Sequence, residues 1–191
     1  MNSKYDQLVQ HRIIQTYKEM HQWYEDTFLS WEWWLLVILF LGSWVVFIKL
    51  VHKEKLHFLL LVGLLWIIIS SNLDSIGYDL GLWGYPKQLI PLLPKAYLFD
   101  YAIIPVIYML MYQYFPKGRA FFIANLLVAA SAAFIGEPVF HWLGIYKTFH
   151  WSSFYSFPIY FVIGYIVKII VEKVKKTSKI NRIQDSHRHQ N

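Results

Sequence analysis

Apolar positions along the chain gather into five long blocks separated by short polar breaks. Residues 31–51, 56–74, 99–115, 119–137 and 154–172 each approach the roughly 20 apolar residues that carry a helix across a hydrocarbon core about 30 Å thick. They predict an all-α polytopic membrane bundle of about five transmembrane helices. The block at 99–115 is the weakest, since it opens beside Asp100 and carries Pro105. In a membrane bundle a neighbouring helix can satisfy the carbonyl that a proline frees.

Ahead of the first block, Tyr5, Leu8, Ile13, Tyr17, Met20 and Tyr24 recur at near-helical spacing among charges, with Trp23 alongside. That spacing predicts an amphipathic helix lying on the membrane surface within residues 1–30. Trp31, Trp33 and Trp34 follow as interfacial anchors. The chain thus divides into an interfacial segment (1–30), a transmembrane domain (31–172) and a basic tail (173–191).

Composition agrees with a bilayer as solvent: of 191 residues, 57% are hydrophobic and 19% aromatic, too apolar for an ordinary soluble domain. The absence of cysteine excludes a disulfide framework, a thiolate metal site and a cysteine nucleophile. Seven of the 18 Lys and Arg lie between Lys168 and Arg188, a pattern suited to anionic lipid at a membrane surface rather than to nucleic acid. The first 28 residues are polar and charged, so no cleavable signal peptide is expected and the first span serves as its own insertion signal. Twelve of the 18 basic residues fall on the side holding Lys49–Lys55, Lys117, Arg119 and the tail. By the positive-inside rule that side is cytoplasmic, which places the N-terminus outside a plasma membrane.

A faint repeat organises the spans. At an offset of 63, Asp74 aligns with Glu137 and Leu80-Gly81-Leu82-Trp83 with Leu143-Gly144-Ile145-Tyr146; at an offset of 53, Asp100, Tyr101 and Pro105 align with Ser153, Phe154 and Pro158. The expected architecture is therefore one leading helix followed by two parallel two-helix repeats, as in transporters whose halves are related by an axis along the membrane normal.

Beyond the first span, Asp74, Asp79, Asp100 and Glu137 sit in or beside the outer halves of the spans, with no Lys or Arg inside those halves to pair with them. An ionised carboxylate in a membrane costs several kcal/mol, about 2.5–3.5 on insertion scales, which makes such groups functional candidates. Burial favours the neutral acid. Asp79 precedes a Gly-rich turn and reads as a loop residue, and Asp100 reads equally well as a helix N-cap. Glu137 and His141, four apart, share a helix face. With Asp74 they could ligate a metal, but no paired metal motif accompanies them, and neither a metal nor a cofactor is expected. Of the many aromatic residues nearby, most read as interfacial anchors, and a subset lining a cavity could stabilise a cation by about 0.5–2 kcal/mol per ring.

The run Asn72-Leu73-Asp74, then Gly81-Leu82-Trp83-Gly84-Tyr85-Pro86, then a loop to Phe99-Asp100 resembles lycopene-cyclase-type membrane domains. Those carry an acid near a helix end, a Gly-x-Trp-x-Tyr-like turn and an acid-bearing helix after a proline-containing loop. Where they have Pro-x-Glu-Glu, this chain has Leu98-Phe99-Asp100 with a single acid. Small fungal membrane-bound terpenoid cyclases look similar in size and span count. Residues 56–172 resemble more closely an uncharacterised family of small multi-pass membrane proteins from spore-forming Firmicutes, which implies no chemistry. The cyclase resemblance implies an isoprenoid substrate, with Asp74, Glu137 and Asp100 as catalytic acids. Asn72, Trp83, Tyr85, Tyr101, His141 and Tyr146 are the expected substrate-binding residues. The alternative is a non-catalytic multi-pass protein: a sensor, an assembly factor or a small proton- or cation-coupled carrier, for which an oligomer is the natural arrangement.

Overall fold

The computed structural model describes residues 3–92 and 95–188, with side chains placed as far as Ser178. Helix α1 (Lys4–Asp26) starts from a capping box, in which Ser3 Oγ accepts from the Asp6 amide and the Asp6 carboxylate accepts from the Ser3 amide. None of its residues is buried, and Tyr5, Leu8, Tyr17 and Tyr24 stay exposed. Its C-terminal turns are tied to the loop around 88–95. Trp23 Nε1 donates to the Gln88 carbonyl at 2.8 Å, and Lys95 Nζ pairs with Glu19 at 2.5 Å. The predicted surface helix is thus latched at one end and leaves apolar side chains free.

Helix α2 (Trp31–Leu50), capped by Ser30, is followed by a 3₁₀ turn (Lys53–Lys55) and α3 (Leu56–Asp79). After a long loop, a π turn (Phe99–Ile103) leads into α4 (Ile104–Tyr114). Helix α5 (Gly118–Ser131), a second π turn (Ala132–Gly136) and α6 (Glu137–Trp142) form one continuous helical rod, and α7 (Ser153–Arg188) closes the chain. Four helical stretches are long and apolar enough to cross a membrane: Trp31–Leu50, Lys53–Asp79, Gly118–Trp142 and Ser153–Ser178. The expected span at 99–115 is helical but is not one of the four. Seven of the eleven residues of α4 are buried, so most of this helix packs against protein, with Ile107 and Tyr114 exposed. Trp44 Nε1 donates to the Tyr101 carbonyl at 3.1 Å, the carbonyl four residues before Pro105 and the one whose amide partner the proline removes.

Helix ends also depart from the expected blocks. Helix α3 continues past 74 to Asp79, the α5–α6 rod continues past 137 to Trp142, and α7 extends into the expected tail as far as Arg188; residues 189–191 lie outside the described residues. The helices run up and down, so that the bundle has two ends. At one, His52 and Leu50 bond to Gln113, and Tyr112 donates to Glu172. At the other, the loops after α3 and α6 meet. Both loops leave their helix through the same turn, with Gly81 and Gly144 at φ +66° and +69° and matching backbone bonds: Gly81 to Tyr78, Leu82 to Gly77, Gly144 to His141 and Ile145 to Phe140. The left-handed backbone is what requires glycine there. Immediately afterwards β1 (Trp83–Gly84) pairs antiparallel with β2 (Lys147–Thr148).

Candidate functional site

Below this two-stranded ribbon lies a cavity of about 630 Å³ whose walls come from α3, α4, the α5–α6 rod, α7 and both loops. This is within the range of about 300–1,000 Å³ typical of small-molecule sites. Asp74, Asp100 and Glu137, each from a different helical rod, all line it. None of the lining residues, all of them described, is Lys, Arg or His.

Asp74 reaches the cavity from the last turns of α3. Its Oδ1 accepts from Trp83 Nε1 at 2.8 Å and from the Tyr85 hydroxyl at 2.5 Å. The turn at Gly81 makes this possible by swinging the chain back over the helix it has just left. Gly77 completes the fit, because a Cβ there would lie 2.0–2.5 Å from the Trp83 ring. Burial above all, with Asp74 beside it, holds the Tyr85 hydroxyl well above the ordinary phenol range, so it remains a donor.

Glu137 occupies the equivalent place on the other rod and takes its donors from α7 instead. Ser153 Oγ donates to Oε2 at 2.7 Å and the Tyr160 hydroxyl to Oε1 at 2.9 Å. Tyr146, 9% exposed, stands between the two sides: its ring packs 5.5 Å from that of Tyr85, and both Glu137 and Asp74 are near enough to act on it electrostatically.

Asp100 sits inside the first π turn rather than at a cap, with no side-chain capping bond. It is only 2% exposed, lies beside Asp74 and Ser70, and its Oδ2 has no hydrogen-bond partner among the described residues. The π turns have a common cause. Each precedes a proline, Pro105 or Pro138, which cannot close the ordinary i to i−4 bond; such bulges are frequent where helices carry functional groups. One π turn holds Asp100 and the other ends against Glu137.

Of the nine residues expected at a site, six line the cavity: Asp74, Asp100, Glu137, Trp83, Tyr85 and Tyr146. Three do not. Asn72 is exposed and its amide donates to the Ile68 carbonyl of its own helix. Tyr101 turns away to stack on Tyr97 at 4.7 Å. His141 shares a helix with Glu137 but is exposed and does not line the cavity. Trp66 is one of the aromatic residues expected near the acids, and the lining also includes polar residues that the sequence did not single out, Ser70, Ser156 and Tyr160 among them. Their signal is periodic: Trp66, Ser70 and Asp74 follow an i, i+4, i+8 stripe on α3, and Ser153, Ser156 and Tyr160 an i, i+3, i+7 stripe on α7. Asp79, read as a loop residue, is instead the exposed last residue of α3.

Aliphatic residues that are themselves exposed, Leu73 and Ile76 on α3, Ile107 on α4, and Leu127 and Ile135 on the α5–α6 rod, also line the cavity. The opening to the outside of the bundle is therefore rimmed by hydrocarbon. No family model, curated protein or solved structure matches the chain significantly.

Proposed function

We propose that this protein is a lipid-modifying enzyme of terpenoid cyclase type. In this reading a buried carboxylic acid protonates an isoprenoid alkene or epoxide, aromatic rings stabilise the cation, and a second, ionised carboxylate takes up the proton that the cation loses at the end and passes it back to the first. The sum is an isomerisation, with no net gain or loss of electrons or protons and no cofactor. The observation that supports it is the convergence of Asp74, Asp100 and Glu137, from three helical rods, on one aromatic-walled cavity free of basic side chains. Acid chemistry of this kind needs a dry pocket and a carboxyl group that keeps its proton.

Asp74 is the proton donor in this reading, Glu137 its counterpart and Asp100 a supporting acid. Trp83 and Tyr85 position Asp74, and Tyr146 faces the substrate between the two sides. The substrate enters from the bilayer through the aliphatic rim. The protein crosses a plasma membrane five times, with α4 as the central span, its N-terminus outside and its basic end binding anionic lipid in the cytoplasm. The two hairpins, α3 with α4 and α5–α6 with α7, are parallel repeats. In support, the ribbon pairs Gly84 with Lys147, residues 63 apart, as a two-fold relation between copies requires.

Purified full-length protein in lipid, given isoprenoid alkenes and epoxides, is expected to yield cyclic products, and Asp74→Asn to reduce turnover by about 10²–10⁴-fold. Turnover unchanged in that variant overturns the reading. A carrier or sensor is the second reading, favoured by one feature: Asp74 and Asp100 adjoin with no basic residue between them. Acid-dependent proton flux in liposomes, with no product from any isoprenoid, would decide for it.

A further inference from the structure

The cavity has a marked chemical asymmetry. Three carboxyl groups point at it, aromatic rings of Trp66, Trp83, Tyr85 and Tyr146 wall it, and no basic side chain enters it. One of those acids, Asp100, is almost wholly buried and has an oxygen without a partner. A buried acid with one oxygen left without a partner is costly, and among the described residues Asp100 has Ser70 and Asp74 beside it but no basic side chain in the cavity lining. The missing complement is a positive charge.

The walls add a second condition. Ring faces attract cations most strongly when water is excluded, and the hydrocarbon rim admits only a body that partitions into lipid. A phosphate, diphosphate or fatty-acid headgroup would meet three acids and no donor of positive charge. We infer that the cavity is a binding site for a lipophilic monocation: one ammonium- or phosphonium-like centre seated between Asp100, Asp74 and the aromatic walls, on an apolar body that reaches the rim. The inference extends the cyclase reading, in which the fleeting cation occupies the same place, but it does not require that any reaction take place.

The test uses two probes of nearly the same shape and opposite charge, tetraphenylphosphonium and tetraphenylborate, with full-length protein in nanodiscs of zwitterionic lipid. Binding is read by quenching of tryptophan fluorescence and by calorimetry. Tetraphenylphosphonium is expected to bind saturably, at one site per chain, and the borate not to bind at that site. Asp100→Asn and Asp74→Asn together, near-isosteric changes checked for native helicity by circular dichroism, should weaken the phosphonium by about tenfold or more. Wild-type protein that binds both probes equally overturns the inference, with no variant needed; so does a correctly folded double variant with unchanged phosphonium affinity. The two readings fail separately. Acid-dependent phosphonium binding without isoprenoid turnover removes the enzyme and keeps the site, whereas turnover that phosphonium neither inhibits nor competes with removes the site and keeps the enzyme.

Discussion

The two acid-bearing rods reach the same end by different means. On the α3 side, the carboxylate is held by the loop that follows it: Asp74 takes both its donors from Trp83 and Tyr85, nine and eleven residues on, and has a second acid, Asp100, beside it. On the α5–α6 side, the following loop does not bond to the acid at all. Glu137 draws on Ser153 and Tyr160 of the next helix, and Ser153 is the residue that the offset of 53 sets against Asp100 in the sequence. The first side therefore sets beside its bonded acid a second one with an oxygen unpartnered among the described residues, while on the second side each oxygen of the single acid has a donor. Similar backbone turns, with side chains chosen differently, have produced one polarised and one quiet half.

The largest structural effect expected from breaking this contrast is at Gly77. The position 63 residues on is Phe140, so one half pairs a glycine with Trp83 and the other a phenylalanine with Tyr146. Gly77→Ala forces the Trp83 ring off the helix and is expected to cost about 1–3 kcal/mol in thermal or denaturant unfolding. It should also lower any Asp74-dependent activity, whereas Phe140→Ala leaves the Asp74 contacts in place. Asp100→Ser makes the first half resemble the second. By removing a buried acid with an unpartnered oxygen, it should raise stability by about 1 kcal/mol or more while weakening selective phosphonium binding, by less than the double change at Asp74 and Asp100. An unfolding midpoint that falls instead would show that Asp100 stabilises the fold.

Smaller effects are expected from the donors. Tyr85→Phe and Tyr160→Phe each delete one hydrogen bond to a carboxyl group and are expected to cost about 0.5–1.5 kcal/mol. They separate in function: Tyr85→Phe is predicted to alter turnover or cation binding, and Tyr160→Phe chiefly stability. The smallest pair tests likeness rather than difference. Gly81→Ala and Gly144→Ala each place a Cβ on left-handed backbone at a cost of about 1 kcal/mol, and the two losses should agree within about 0.5 kcal/mol. A large inequality would argue against equivalent turns.

How much of this the sequence carried depends on whether the signal was local. Spans such as Trp31–Leu50 are written as runs of apolar residues, and the turn glycines as a repeated Leu-Gly-aliphatic-aromatic motif, so both are legible. The spacing of 63 between Asp74 and Glu137 is legible too, and both residues line the same cavity. The 99–115 block reads as the weakest because of Asp100 and Pro105; both are buried in the fold, a placement that depends on packing against other helices rather than on local sequence. Asp100 was ambiguous for a similar reason: an acid at the start of a helical block suits a cap, and only the π turn ahead of Pro105 turns it inward. Tyr160 went unseen because its partner lies 23 residues away on another helix. His141 misled in the opposite direction: it lies one turn beyond Glu137 near the end of α6, exposed and outside the cavity lining.

If ligand enters from the bilayer as proposed, the aliphatic rim formed by Leu73, Ile76, Leu127 and Ile135 sets the units in which binding is to be measured. A compound that arrives from the hydrocarbon is sensed by its mole fraction among lipids, and adding more of it to the buffer matters only as far as it dissolves in the bilayer. Diluting protein and ligand together in buffer would leave occupancy almost unchanged, whereas diluting the ligand with inert lipid would lower it. Saturation curves for this cavity therefore belong on a surface-concentration axis, and detergent micelles, each a separate and tiny reservoir, would scatter the same ligand into apparent affinities that reflect micelle number.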